Sequence, residues 1–95
     1  GPAYVFYFIE QLTAAAERLG FTNEQATLLV TETFRGAGDY LMAGDKTAAE
    51  LRAQVTSPNG TTMRAIAELE KLNLAAGFEA ALNAALARAK ELAGG

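Results

Sequence analysis

The chain has 95 residues, 51% of them hydrophobic, with net charge −3, an isoelectric point near 4.8, and neither cysteine nor histidine. That length allows one small domain, and the missing residue types exclude disulfides, thiolate sites and zinc held through nitrogen or sulfur. The 8 basic residues are scattered singly, which excludes the clustered cationic surface that a nucleic-acid partner needs.

The first predicted element is a helix from Pro2 to Leu19. Proline suits a first helical turn, where its missing N–H costs nothing, and Gly20 supplies the C-terminal stop. Ala3-Tyr4-Val5-Phe6-Tyr7-Phe8-Ile9 is apolar on every helical face, and Leu12, Ala15, Ala16 and Leu19 then narrow to one stripe. A strand over residues 4–9 is the alternative, but the helical pattern downstream favours the helix. A helix apolar all round must be enclosed all round. A chain of this length buries only roughly two-thirds of its unfolded surface, so the enclosure is expected to include a second chain. Tyr4 and Tyr7 offer phenols, for which packing in a core or interface is the expected use.

Thr22-Asn23-Glu24-Gln25 has capping-box form and opens a second helix to about Ala43, ended by Gly44. Ala26, Leu29, Val30, Phe34, Ala37 and Leu41 recur at helical spacing. Gly36 and Gly38 inside it each cost about 1 kcal/mol relative to alanine. Close approach of a neighbouring helix is the expected reason, since no strand precedes the Gly36-Ala37-Gly38 triplet to make it a nucleotide loop.

A second capping box, Thr47-Ala48-Ala49-Glu50, predicts a short helix through Val55, with Leu51 and Val55 inward and Pro58 beyond it as a stop. A fourth helix is predicted from Met63 to Leu72, with Met63, Ile66, Leu69 and Leu72 as its apolar positions. Asn73 and Gly77 are expected to mark a break. Phe78, Leu82, Leu86, Ala89 and Leu92 then form the stripe of a fifth helix, with Gly94-Gly95 as a frayed tail. The expected class is all-α, about five helices with short connections, in a single domain over residues 1–95.

Between the third and fourth predicted helices lies Val55-Thr56-Ser57-Pro58-Asn59-Gly60-Thr61-Thr62, where the chain looks built for chemistry. Proline presets one backbone angle, and Asn-Gly readily takes the positive φ of a tight turn. The turn delivers Thr61 and Thr62 to a helix start, whose unpaired N–H groups and partial positive charge suit an anion. One use of the segment is purely structural, an interhelical turn capped by Thr61 and worth about 1 kcal/mol. The other is a carboxylate or phosphate cradle made by the Ser57 hydroxyl and the N–H groups of residues 60–62. No lysine follows the last glycine and no strand precedes the loop, which excludes a P-loop.

The glutamates fall on expected solvent faces, and among the acidic residues Asp45, in a loop, is retained as a candidate site residue. The longest apolar run, Ala3–Ile9, is seven residues long, against about 20 for a membrane span. A soluble, cytoplasmic protein is expected.

Three segments together resemble the C-terminal half of pyrroline-5-carboxylate reductase. They are Gly1-Pro2-Ala3-Tyr4-Val5-Phe6-Tyr7-Phe8-Ile9-Glu10, Ala49-Glu50-Leu51-Arg52 and Val55 to Thr62, in matching order and spacing over nearly the whole chain. The resemblance implies an interlocked helical dimerisation domain, as in the C-terminal half of the 6-phosphogluconate-dehydrogenase-like reductases. It also implies a parent enzyme that uses NADPH or NADH to reduce the cyclic imine of pyrroline-5-carboxylate to proline. The cofactor would sit in an N-terminal Rossmann half, absent from these 95 residues, so none is expected on this chain alone. On this basis the chain reads as a homodimerising fragment of a longer protein, without a metal.

Carried over by the resemblance, Ser57, Asn59, Gly60, Thr61 and Thr62 would hold the substrate carboxylate, with the Thr62 hydroxyl near the imine nitrogen as the catalytic candidate. Two departures stand out. Asn59 takes a place where the family loop usually has glycine, and Lys71–Ala76 makes the junction before Gly77-Phe78 about four residues longer, near one helical turn. Two rivals remain: a free-standing helical interaction module without a catalytic parent, and the helical domain of a related imine or 3-hydroxy-acid reductase.

Overall fold

The computed structural model describes residues 1–94 as five helices: α1 Pro2–Arg18, α2 Asn23–Ala43, α3 Ala48–Gln54, α4 Thr61–Glu70 and α5 Leu74–Gly94. No strand occurs among the described residues, residues 4–9 included. The chain divides into two compact units, Gly1–Leu51 and the stretch from Arg52 onward.

In the first unit α1 packs on α2. The turn between them is closed by local chemistry at both ends. Gly20 takes φ +112, its N–H donates to Glu17 O at 2.9 Å, and the Phe21 N–H reaches Ala16 O at 3.4 Å. That pair of bonds is a Schellman stop, which satisfies the last carbonyls of α1. Thr22 then opens α2 with a reciprocal capping box: its hydroxyl accepts from Gln25 N–H at 3.1 Å, and its own N–H donates to Gln25 Oε1 at 3.0 Å. Gly44 ends α2 as expected.

The unit's covered core is small. Ala26 is 0% exposed, Val30 5% and Thr13 8%, with Ile9, Ala14, Ala15, Ala16 and Phe34 half-buried. Phe34 sits one turn beyond Val30, so Ala26, Val30 and Phe34 form the covered line of α2, while Leu29, Ala37 and Leu41 stay exposed. On α1 the covered line passes through Ile9, Thr13 and Ala16. The sequence-predicted inward residues Leu12 and Leu19 are exposed. Tyr4, Phe6 and Tyr7 are exposed as well. A Cβ built on Gly36 or Gly38 would meet nothing within 4 Å, so the close neighbour expected at these glycines is not supplied within the chain. Both glycines lie inside α2, away from any nucleotide-loop geometry.

α3 starts at the predicted capping box: the Thr47 N–H donates to Glu50 Oε1 and the Glu50 N–H to Thr47 Oγ1, each at 3.2 Å. In the second unit α4 begins two residues earlier than expected and ends at Glu70. The link Lys71–Asn73 continues as a tightened turn, with N–H groups bonded three residues back to Glu68, Leu69 and Glu70 carbonyls. Asn73 has φ +50, and its Oδ1 accepts from Ala76 N–H at 3.4 Å. This cap starts α5 at Leu74, so Gly77 lies inside the helix and the expected break there does not form. The longer junction therefore becomes a three-residue link plus the first turn of α5. Gly94 is helical too, and Gly95 lies outside the described residues.

No residue of α4 or α5 is buried. The α5 stripe Leu74, Phe78, Leu82 and Leu86 is between 43% and 56% exposed. Exposed apolar area of this extent is unfavourable in contact with water.

Candidate functional site: the loop between α3 and α4

The loop's entry is fixed by Thr56, whose N–H donates to Ala53 O at 3.3 Å and whose hydroxyl donates to Arg52 O. These bonds occupy carbonyls at the C-terminal end of α3. Ser57-Pro58-Asn59-Gly60 follows as a reverse turn closed by the Gly60 N–H donating to Ser57 O at 3.1 Å. Asn59 takes φ +61, and proline precedes it. A positive φ at the third turn position is the requirement of a type II turn, and asparagine tolerates it better than most residues. The turn therefore survives without glycine at position 59.

Gly60 is the N-cap of α4, in extended backbone at φ −87, and no side chain caps this helix. Thr61 is its first helical residue, which corrects the expectation that Thr61 would be the cap. A Cβ on Gly60 would lie 3.2 Å from Ser57 O, so a larger residue there would crowd the turn. The Asn59 N–H is directed to Met63 Sδ at 3.4 Å, and the Arg64 N–H to Gly60 O at 3.4 Å.

Those bonds leave a particular set of groups open. Among the described residues, the N–H groups of Thr61, Thr62 and Met63 have no acceptor, as expected of an uncapped helix start. The hydroxyls of Ser57, Thr61 and Thr62 and the side-chain amide of Asn59 make no hydrogen bond either. Ser57, Asn59, Thr61 and Thr62 are exposed and Gly60 is half-buried. One turn thus gathers three free hydroxyls, one free amide and three free backbone donors at the positive end of a ten-residue helix. Such a group can accept a small anion and offers no base strong enough to take a proton from it.

The sequence-predicted residues 57 and 59–62 are all brought together by this turn. Asp45 belongs to the α2–α3 connection, where it is exposed and makes no hydrogen bond or ion pair among the described residues. A shallow groove of ≈ 440 Å³ lies along α2, lined by Asn23, Glu24, Thr27, Leu28 and Thr31. It is one face of a single helix and contains none of the loop residues. Elsewhere on α2, Arg35 bridges Glu32 and Asp39. The hydrogen bond and the positive charge of Arg35 hold the Glu32 carboxyl below its ordinary range.

Among the described residues no three acidic side chains converge to hold a metal, and no helix is long and apolar enough to cross a membrane. Nor do the described residues fit a nicotinamide dinucleotide: its usual seat is a strand, a glycine loop and a helix in succession, and no strand is present.

Comparison with known proteins agrees with the fold and with the exposed helices. A reductase named pyrroline-5-carboxylate reductase from Pseudomonas aeruginosa is 44% identical over 93 residues, covering 98% of this chain and 34% of its own length. Pyrroline-5-carboxylate reductase 3 of Xenopus laevis is 39% identical, over 97% of this chain and 34% of the relative. The solved structure of a pyrroline-5-carboxylate reductase from Coxiella burnetii superposes with a TM-score of 0.95 at 49% identity, covering 97% of this chain and 34% of that one. The chain thus spans about a third of the length of these relatives. Residues 1–92 match the family described as pyrroline-5-carboxylate reductase dimerisation, and the chain belongs to that family.

Proposed function

We propose that residues 1–95 act as one domain, the homodimerisation and substrate-binding part of a cytoplasmic NAD(P)H-dependent enzyme that reduces 1-pyrroline-5-carboxylate to L-proline. The observation that carries the substrate part is the set of unpartnered donors at Ser57 and residues 61–63. A pyrroline-5-carboxylate molecule carries one carboxylate, and this turn offers preorganised dipoles of the matching sign. Fixing the carboxylate there orients the ring, and orientation is most of what the protein must supply when a cofactor provides the reducing equivalent.

In this reading the Ser57 hydroxyl and the N–H groups of Thr61 and Thr62 hold the carboxylate, with Asn59 and Gly60 shaping the turn around it. The Thr62 hydroxyl lies toward the ring nitrogen, where it orients the imine or relays a proton to it. Asp45 is retained only as an acidic residue near the start of α3. The cofactor belongs to a dinucleotide-binding domain outside these residues, and no step of its chemistry is assigned to this chain.

The homodimer is supported by the dimerisation family and by the open stripes on α1 and α5. The test is a steady-state assay of the full-length protein with pyrroline-5-carboxylate and NADPH or NADH, beside the isolated chain. The full-length protein is expected to turn over and the isolated chain to dimerise without consuming cofactor. A full-length protein that reduces other imines or 3-hydroxy acids but not pyrroline-5-carboxylate would overturn the substrate assignment.

A further inference from the structure

Asn59 stands apart from the other asparagines of the chain, and the difference is chemical. Asn23 donates through its side chain to Glu17 Oε1 at 3.3 Å and is followed by Glu24. Asn83 lies inside α5 and precedes Ala84. Asn73 shares the left-handed backbone of Asn59, but its Oδ1 caps α5 and Leu74 follows it. Asn59 is exposed, outside any helix, without a side-chain hydrogen bond among the described residues, and followed by glycine. Gly60 has no Cβ to crowd the approach of the Asn59 side-chain carbonyl carbon to its backbone nitrogen.

We propose that Asn59 is a deamidation site whose product places a carboxylate inside the anion-binding turn and weakens substrate binding; the binding consequence rests on the function proposed above. The Gly60 nitrogen attacks Asn59 Cγ, forming a new C–N bond and a five-membered imide. The Cγ–Nδ2 bond breaks and ammonia leaves, its third hydrogen being the proton lost by the Gly60 N–H. One water molecule then opens the imide at either carbonyl, giving aspartate or isoaspartate. No electrons change hands, and the net exchange is water in, ammonia out.

The hydrogen bond from the Gly60 N–H to Ser57 O must open before the nitrogen can attack. It is a single bond in an exposed turn, whereas the nitrogen after Asn83 lies within a continuous helix. Aspartate tolerates the left-handed backbone as asparagine does, so that product leaves the turn foldable, whereas isoaspartate lengthens the main chain of the turn by one methylene and carries its carboxylate on Cα. The helix start attracts the new carboxylate as it would attract the substrate's, and two like charges in one small turn repel.

The experiment ages the full-length reductase in mildly alkaline buffer, with peptide mass mapping and steady-state kinetics on the same samples. Conversion at Asn59 is expected ahead of Asn23, Asn73 and Asn83, with KM for pyrroline-5-carboxylate rising by about 10-fold or more in the converted fraction. The variant Asn59→Asp is expected to show the raised KM at once. Asn59→Gly, whatever its starting activity, is expected to hold that activity through the same incubation. Asn59 converting no faster than Asn73 overturns the site while leaving the carboxylate cradle standing. Early conversion with KM unchanged, in aged enzyme and in Asn59→Asp alike, overturns the consequence and the cradle together.

Discussion

Replacing Phe6 by alanine probes whether the open face of α1 is the seat of a second chain. Phe6 is 69% exposed in the single protomer. Fully burying a phenylalanine is worth roughly 3 kcal/mol, so covering the exposed share in a dimer contributes about 2 kcal/mol per side chain. A two-fold interface presents the same patch from both subunits, which doubles the loss to about 4 kcal/mol, or roughly a thousand-fold in the dimer dissociation constant. Sedimentation velocity over a range of concentrations reads that constant directly. If the dimer is too tight to dissociate, the concentration dependence of the denaturation midpoint reads it instead, since an obligate dimer's stability depends on protomer concentration. Phe6→Leu keeps most of the apolar area and should lose far less, which separates the apolar contribution from general damage to α1. A Phe6→Ala protein with native helical circular dichroism and a dissociation constant within a few-fold of the parent would refute the reasoning.

The remaining predictions concern the loop, the caps and one ion pair. In the full-length enzyme, Thr62→Ala should lower kcat about 10-fold or more if the hydroxyl assists proton delivery, and unchanged kinetics would remove it from the mechanism. Ser57→Ala should mainly raise KM, about 10-fold or more, because a hydrogen bond to a charged group contributes about 1.5–3 kcal/mol. Thr22→Ala and Thr47→Ala each break a reciprocal capping box and should cost about 1 kcal/mol of stability in chemical denaturation. Glu32 should titrate below the ordinary carboxyl range in a carbon-detected NMR titration, because the hydrogen bond and the charge of Arg35 favour its ionised form. A depressed carboxyl stabilises the fold above its unfolded pKa, and that contribution is lost as pH falls through the folded value. Arg35→Gln should return Glu32 toward the ordinary range.

The elements that were legible in the sequence are those encoded within a few neighbouring residues. The Gly20 stop, the Thr22–Gln25 and Thr47–Glu50 boxes and the Ser57–Gly60 turn all form where their residue types require, because each closes its hydrogen bonds over three to five positions. The gathering of Ser57, Asn59, Thr61 and Thr62 at one helix start was legible for the same reason. Local spacing failed at the fourth and fifth helices. Thr61 entered α4 because Gly60 took the cap position, and Gly77 stayed helical because Asn73 turned left-handed and capped Ala76 first. A side-chain amide accepting one N–H decided between two breakers that look equivalent in the sequence.

Sequence alone determined the helical class, the turn and the surplus of apolar residues, since those depend on residue type and short-range spacing. Which apolar residues are covered was decided by tertiary packing: Thr13 lies under α2 while Leu12 and Leu19 remain in water, and the whole α5 stripe is open. Helical periodicity assigns a residue to a face, but burial requires an opposing surface. Among the described residues the packing of α1 on α2 supplies such a surface for Thr13, Ala26 and Val30.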